Sequence, residues 1–231
     1  MTPDVPLDDL ADATHRLVRT VDGLDDEALG GPSVLPSWSR AHVVAHLTLN
    51  AEALEAVLRG VVEGRDVPMY LSQEVRDAAV EDLAVAERTA LRERFMASTT
   101  HFWEAVVAVP EGGWQGEFRR VASGGELLQR VTVPAMRRLE VEVHHADLGT
   151  GYEPADWPEP FVDEVFNRLV HDRDGGVPVM LRTPDGDVPL GGGAGPLVAG
   201  SRADLTWWLL GRGAGAGLTA DPALPDLGRW R

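Results

Sequence analysis

The sequence predicts an α+β protein in two parts, a four-helix bundle over residues 1–150 and a small α+β unit over residues 151–231. Three observations lead there. Apolar residues recur at helical spacing in four segments before residue 150, a proline-rich stretch from Glu153 to Pro160 breaks the pattern, and apolar runs beyond it flank the turn Thr183-Pro184-Asp185-Gly186-Asp187. With 231 residues, the chain is long enough to bury a proper core without staples.

The first helix is read from Leu7, Leu10, Ala13, Leu17, Val18 and Val21, which share one face between Pro6 and Val21. Gly30-Gly31-Pro32 ends that section. A second helix begins near Ser37-Trp38-Ser39, with Ser37 or Ser39 as its N-cap, and runs to about Val62, closed by Gly64. A loop from Gly64 to Tyr70 leads to Ser72, the cap of a long polar helical stretch that reaches about Val109 and contains a break. Pro110 to Gly125 is a turn-rich connection, after which Pro134 suits the first turn of a helix ending at Leu148-Gly149.

In the second part a short helix spans Phe161 to His171, and Val177–Arg182 and Val188–Leu190 form a hairpin. Pro178 and Pro189 cannot donate to a ladder, so both strands are expected at an edge. A strand from Pro196 to Ala199 and a helix capped by Ser201 complete the unit.

Composition narrows the function. The basic residues are 21 arginines against 37 carboxylates, a formal charge of −16, which argues against binding nucleic acid or an anionic membrane. An anionic small molecule must therefore meet locally placed arginines. The chain has no cysteine, so a metal must be held by His and carboxylate, and any thiol chemistry must import its thiol. The N-terminus shows no signal sequence and no apolar run is long enough to span a membrane, so a cytoplasmic protein is expected. A monomer is expected as well.

Two helices carry candidate chemistry. On the second, His46 and Asn50 lie one turn apart on the face of Val43, Ala53 and Val57, the side expected to pack. A core histidine satisfied by a neighbouring helix accounts for that pattern as well as a metal ligand does. On the last helix of the bundle, Met136, Leu139, Val143 and Ala146 form an apolar stripe, with Glu140 and His144 along one edge and Glu142 and His145 along the other. Either pair could place two ligands on one face, and spacing does not choose between them; a solvated charged face is the third alternative. Arg76 stands in the first turn of its helix, where the dipole disfavours a cation, so it either has a ligand or is a surface residue. Gly191-Gly192-Gly193 and Gly211-Arg212-Gly213 lack the context of phosphate-binding loops and read as turns.

Four segments together resemble a known family. They are Trp38-Ser39-Arg40-Ala41-His42-Val43-Val44-Ala45-His46-Leu47 with Asn50; Pro68-Met69-Tyr70-Leu71-Ser72 followed by Arg76; Arg138-Leu139-Glu140-Val141-Glu142-Val143-His144 with Asp147-Leu148-Gly149; and Gly211-Arg212-Gly213. The pattern is similar to that of the mycothiol-dependent maleylpyruvate isomerases, whose N-terminal part is a DinB-like metal-binding helix bundle. The resemblance implies that His46, Glu140 and His144 hold a zinc ion, that Asn50 and Arg76 lie on the cofactor side, and that Arg76 and Arg212 serve the substrate or the thiol. It implies a sterol-carrier-like C-terminal domain, and an actinobacterial source, with which the all-arginine, Gly- and Pro-rich composition agrees.

The expected activity is a cis-trans isomerisation of maleylpyruvate to fumarylpyruvate that uses zinc and mycothiol, with a dicarboxylic keto acid as substrate. A thiol S-transferase of the same bundle, acting on another electrophile, is the alternative within enzymes. A non-catalytic small-molecule-binding protein is the alternative outside them.

Overall fold

The computed structural model describes residues 5–173 and 175–228. The chain divides into two compact units, Met1–Thr150 and Gly151–Arg231. Secondary structure is mixed, as expected of an α+β protein.

The first unit is built on α1 (Leu7–Gly23), α3 (Arg40–Glu63), α5 (Arg88–Ala108) and α6 (Val133–Asp147), with the short α2 (Asp26–Gly30) and α4 (Gln73–Ala84) between them. Each start has a local cause. Ser39 caps α3 by accepting from the His42 N–H, while His42 Nδ1 accepts from the Ser39 N–H at 3.2 Å, a reciprocal cap that makes Ser39, not Ser37, the boundary. Gly64 ends α3 at φ 67°, a left-handed conformation that favours glycine. Ser72 caps α4 and Glu87 caps α5, so the long polar stretch breaks at residues 85–87. Pro134 sits in the first turn of α6.

Helix α3 packs most extensively on α5, α1 on α6, and α3 on both α4 and α6. Leu17, Val21, Val43, Val44, Leu47, Leu91, Phe95 and Val141 are fully buried in the main core. A cleft of about 730 Å³ lies along the α1–α5 seam, walled by Val18, Met96, Trp103 and Val107. After α3 the chain folds back so closely that a Cβ on Gly60 would meet the Val67 side chain at 2.7 Å and the Arg65 carbonyl at 2.9 Å. This return aims the following loop at the α3–α6 seam.

Three features depart from the expectation. Asp25 caps the five-residue α2, accepting from the Ala28 N–H at 2.8 Å. Within the connection read as turns, β1 (Glu117–Arg119) pairs with β2 (Leu127–Gln129) in an antiparallel hairpin. In the second unit, β6 (Thr219–Asp221) adds an unforeseen strand to the sheet. All three are too short for periodicity to show.

The second unit carries α7 (Glu159–Asp172), α8 (Arg202–Leu209) and a sheet of β3 (Val179–Thr183), β4 (Gly186–Leu190) and β5 (Leu197–Ala199), ordered β4-β3-β5-β6. Only β4 meets the edge expectation. β3 is paired on both sides, antiparallel to β4 and parallel to β5, because Pro178 lies just before it and its missing N–H costs no ladder bond. Val179, Leu181, Val198 and Leu205 are fully buried, and Trp157 stacks edge-on against Phe161 and Trp207. Among the described residues, no helix is long and apolar enough to cross a membrane.

Helix α6 is more deeply buried than its apolar stripe suggested. Glu142 is fully buried and accepts from Arg16 on α1 at 2.8 Å, so neither edge of the stripe is a solvated face. Removing Glu142 leaves the half-buried Arg16 to water, and Glu142→Ala is expected to cost about 1–3 kcal/mol of stability in urea unfolding. A cost below about 0.5 kcal/mol would show that the pair contributes nothing.

Candidate metal centre

The α3–α6 seam brings polar side chains from two helices together in a largely buried setting. On α3, His46 and Asn50 are 4 % and 1 % exposed, so both need partners inside the protein. Asn50 finds one in Arg137 of α6, whose guanidinium donates to Asn50 Oδ1 at 2.8 Å and to the Leu47 carbonyl at 2.9 Å. Burial pulls the Arg137 pKa down to about 10 against the opposing pull of the Glu140 charge, so at neutral pH a cation is fixed beneath the site.

His46 finds its partners above. Its Nε2 is 2.7 Å from Glu140 Oε2, and His144 Nε2 is 3.2 Å from the same oxygen. The two imidazoles meet edge to face with centroids 4.5 Å apart. One ligand atom from each of His46, Glu140 and His144 lies within 4.8 Å of the other two. Two imidazoles and one carboxylate form the donor set of catalytic zinc sites, which leave a further position open. Behind His144, Nδ1 lies 2.8 Å from Oδ2 of the fully buried Asp147, the carboxylate backing that orients a metal-binding histidine.

Electrostatics separates the two histidines. Burial, reinforced by the His144 charge, lowers His46 to about 4, so its ring is neutral at pH 7. Burial also acts to lower His144, but Asp147 and Glu140 outweigh it and raise the ring to about 9. Burial acts to raise Glu140, and the two imidazoles more than offset it, holding the carboxyl well below its usual range.

Other side chains close the site. Arg76 on α4 donates to His46 Nδ1 at 2.9 Å and to Asp77 at 2.8 Å, and its guanidinium carbon is 5.9 Å from the Tyr70 ring centre. The Trp38 ring stands 5.9 Å from that of His46. His46, Glu140, His144, Asn50 and Arg76 thus meet at one place. Arg212 belongs to the second unit, in the turn after α8, where its guanidinium donates to the Leu210 carbonyl at 3.0 Å.

The ambiguity on α6 has a structural answer. Glu142 and His145 face α1, where they meet Arg16 and Thr20, the latter 2.7 Å from His145 Nε2. Glu140 and His144 face α3 and its histidine. Four neighbours were missed from the sequence: Trp38, Tyr70, Arg137 and Asp147. Asp147 was legible in principle, three residues after His144 on the same helix; the others are placed by long-range packing.

A family model of the mycothiol maleylpyruvate isomerase N-terminal domain matches residues 10–149. By sequence, none of the curated proteins matches the chain. Among solved structures, the fold is similar to a crystal structure of the mycothiol-dependent maleylpyruvate isomerase, with a TM-score of 0.89 and 27 % identity over 100 % of both chains. A histidine-to-alanine mutant of that isomerase gives a TM-score of 0.89 at 26 % identity, again over 100 % of both chains. With a family model matching more than half of its length, the chain belongs to the mycothiol maleylpyruvate isomerase family.

Proposed function

We propose that the protein binds one zinc ion through His46, Glu140 and His144 and uses mycothiol to isomerise maleylpyruvate to fumarylpyruvate. The observation that carries this reading is the convergence of those three ligand atoms beside Arg76, in a chain without a cysteine of its own. Bound there, zinc would supply Lewis acidity, favouring the thiolate form of a thiol near neutral pH. Addition of the thiolate to the cis double bond leaves a single bond free to rotate, and expulsion of the thiol restores a trans double bond. The chemistry returns the thiol unchanged, which separates an isomerase from a transferase.

The residues around the cluster each have a task. Asp147 fixes the His144 ring with Nε2 forward. Ligation through Nε2 leaves the neutral His46 ring with its proton on Nδ1, where an arginine N–H can no longer donate, so the Arg76 guanidinium turns to an anion instead. A substrate carboxylate suits it, since a planar fork makes two charge-assisted hydrogen bonds. Asn50 presents its amide on the cofactor side, held by Arg137. Arg212 is assigned to a second anionic group of the substrate or the thiol.

His46→Ala, Glu140→Ala and His144→Ala are each expected to remove both metal and activity, read by elemental analysis of the purified proteins. Glu142→Ala and His145→Ala should retain the ion when folded. The opposite pattern would move the ligand set to the other edge of α6.

Zinc affinity should depend on pH. His144 is raised to about 9, so near neutrality it carries a proton that a cation must displace. Affinity therefore rises with pH, about tenfold per unit up to about pH 9, and falls as the medium is acidified; His46, at about 4, adds a second displaced proton only in acid. Chelator-buffered zinc titrations from about pH 6 to about pH 8 test this, and a flat profile would contradict it.

Arg76→Ala should lower kcat/KM by roughly 30- to 1,000-fold, the effect of about 2–4 kcal/mol, with zinc content unchanged. Arg76→Lys should recover little, because a point charge lacks the fork. Wild-type kinetics in both variants would remove Arg76 from the site.

A further inference from the structure

We propose that Tyr70 is a catalytic residue of this site, its phenolic O–H donating a hydrogen bond to the substrate carbonyl oxygen that becomes an enolate when the thiolate adds. The inference rests on the isomerase reading above and extends it to a residue that neither spacing nor resemblance assigned. When the carbon–sulfur bond forms, the π electrons of the double bond shift toward the conjugated carbonyl and leave negative charge on its oxygen. Expulsion of the thiolate reverses that shift after rotation. The hydroxyl keeps its proton throughout, so no acid or base is consumed.

The first support is placement. Tyr70 lies in the loop between α3 and α4, and the β1–β2 hairpin holds that loop like an added strand: the Met69 N–H donates to the Arg119 carbonyl at 2.9 Å, the Tyr70 N–H to the Arg120 carbonyl at 3.0 Å, and the Ala122 N–H to the Tyr70 carbonyl at 3.0 Å. The ring packs against the apolar cluster that includes Met69, Phe102 and Phe118. A side chain anchored at its backbone and ring presents its hydroxyl in one place, as a preorganised donor must.

The second support is a count of donors and acceptors. Asn50 and Arg76 are the polar side chains beside the Tyr70 hydroxyl. Arginine has no acceptor, so it can only donate. Asn50 has its carbonyl oxygen committed to Arg137 at 2.8 Å, which leaves its NH₂, a donor, for other neighbours. Neither neighbour can take the phenolic proton. The acceptor whose charge reaches Tyr70 is Glu140, and both imidazole Nε2 atoms already engage that carboxylate. The O–H is thus left for an incoming acceptor. An anion docked on Arg76 arrives beside this ring, since the guanidinium carbon is 5.9 Å from the ring centre.

Burial and the Glu140 charge raise the Tyr70 pKa above its ordinary value, so the phenol is a neutral donor throughout the working range. That agrees with a hydrogen-bonding role and not with a tyrosinate base.

The experiment compares wild type with Tyr70→Phe, both zinc-loaded, on maleylpyruvate with saturating mycothiol, following the isomer and the free thiol. Loss of one oxyanion donor should lower kcat by about 100-fold while KM, zinc content and thermal midpoint stay near wild type. Tyr70→Phe within about threefold of an active wild type in kcat would overturn the assignment and leave the isomerase reading intact. A rise in KM at constant kcat would also overturn it, reducing Tyr70 to a ground-state contact. A zinc-loaded wild type that does not isomerise maleylpyruvate would overturn both readings.

Discussion

A buried polar group must be paired, and at the α3–α6 seam the pairing crosses between helices. His46 on α3 meets Glu140 on α6, Asn50 on α3 meets Arg137 on α6, and His144 shares the Glu140 carboxylate from its own helix. The seam holds a carboxylate between two imidazoles and an arginine beneath, an arrangement that apolar packing alone would not favour. Its cost is accepted where the chemistry needs charge, and the surrounding cores of Leu, Val and Phe sustain it.

The second polar seam, between α1 and α6, is built differently. Arg16 meets Glu142 at 2.8 Å and Thr20 meets His145 at 2.7 Å, each contact between one residue of α1 and one of α6. The α3 seam instead gathers two imidazoles on one carboxylate oxygen, with Arg76 donating to one of them. That concentration of titratable groups on a single oxygen is what sets the two seams apart.

Much of this was legible in the sequence. The caps Ser39, Ser72 and Ser201, the stop at Gly64 and the proline at the start of α6 follow from local rules, and the long helices followed from periodicity. Spacing reached the pair of edges on α6 but could not choose between them, because the choice depends on which helix lies opposite each edge. A solvated charged face was an open alternative for Glu142 and His145, yet both are buried, as are Arg137, Arg138 and Asp147, since α6 is covered from both α1 and α3. Short elements such as α2, β1, β2 and β6 carry too few residues for any pattern to emerge. β3 pairs on both sides despite its neighbouring proline, because Pro178 stands before the strand and not within it.

The two residues joined by the shortest contact of the cluster, His46 and Glu140, are 94 positions apart, and Arg76 and Tyr70 come from a third stretch of chain between them. No fragment lacking any of these stretches contains the constellation, and the loop that carries Tyr70 is held in turn by a hairpin some fifty residues further on. Contacts this remote in sequence carry a large loop-closure entropy, which slows folding. Competence at the site is therefore acquired by the bundle as a whole, and a loosened α1–α6 or α3–α5 seam would disperse the cluster while most helices still stand.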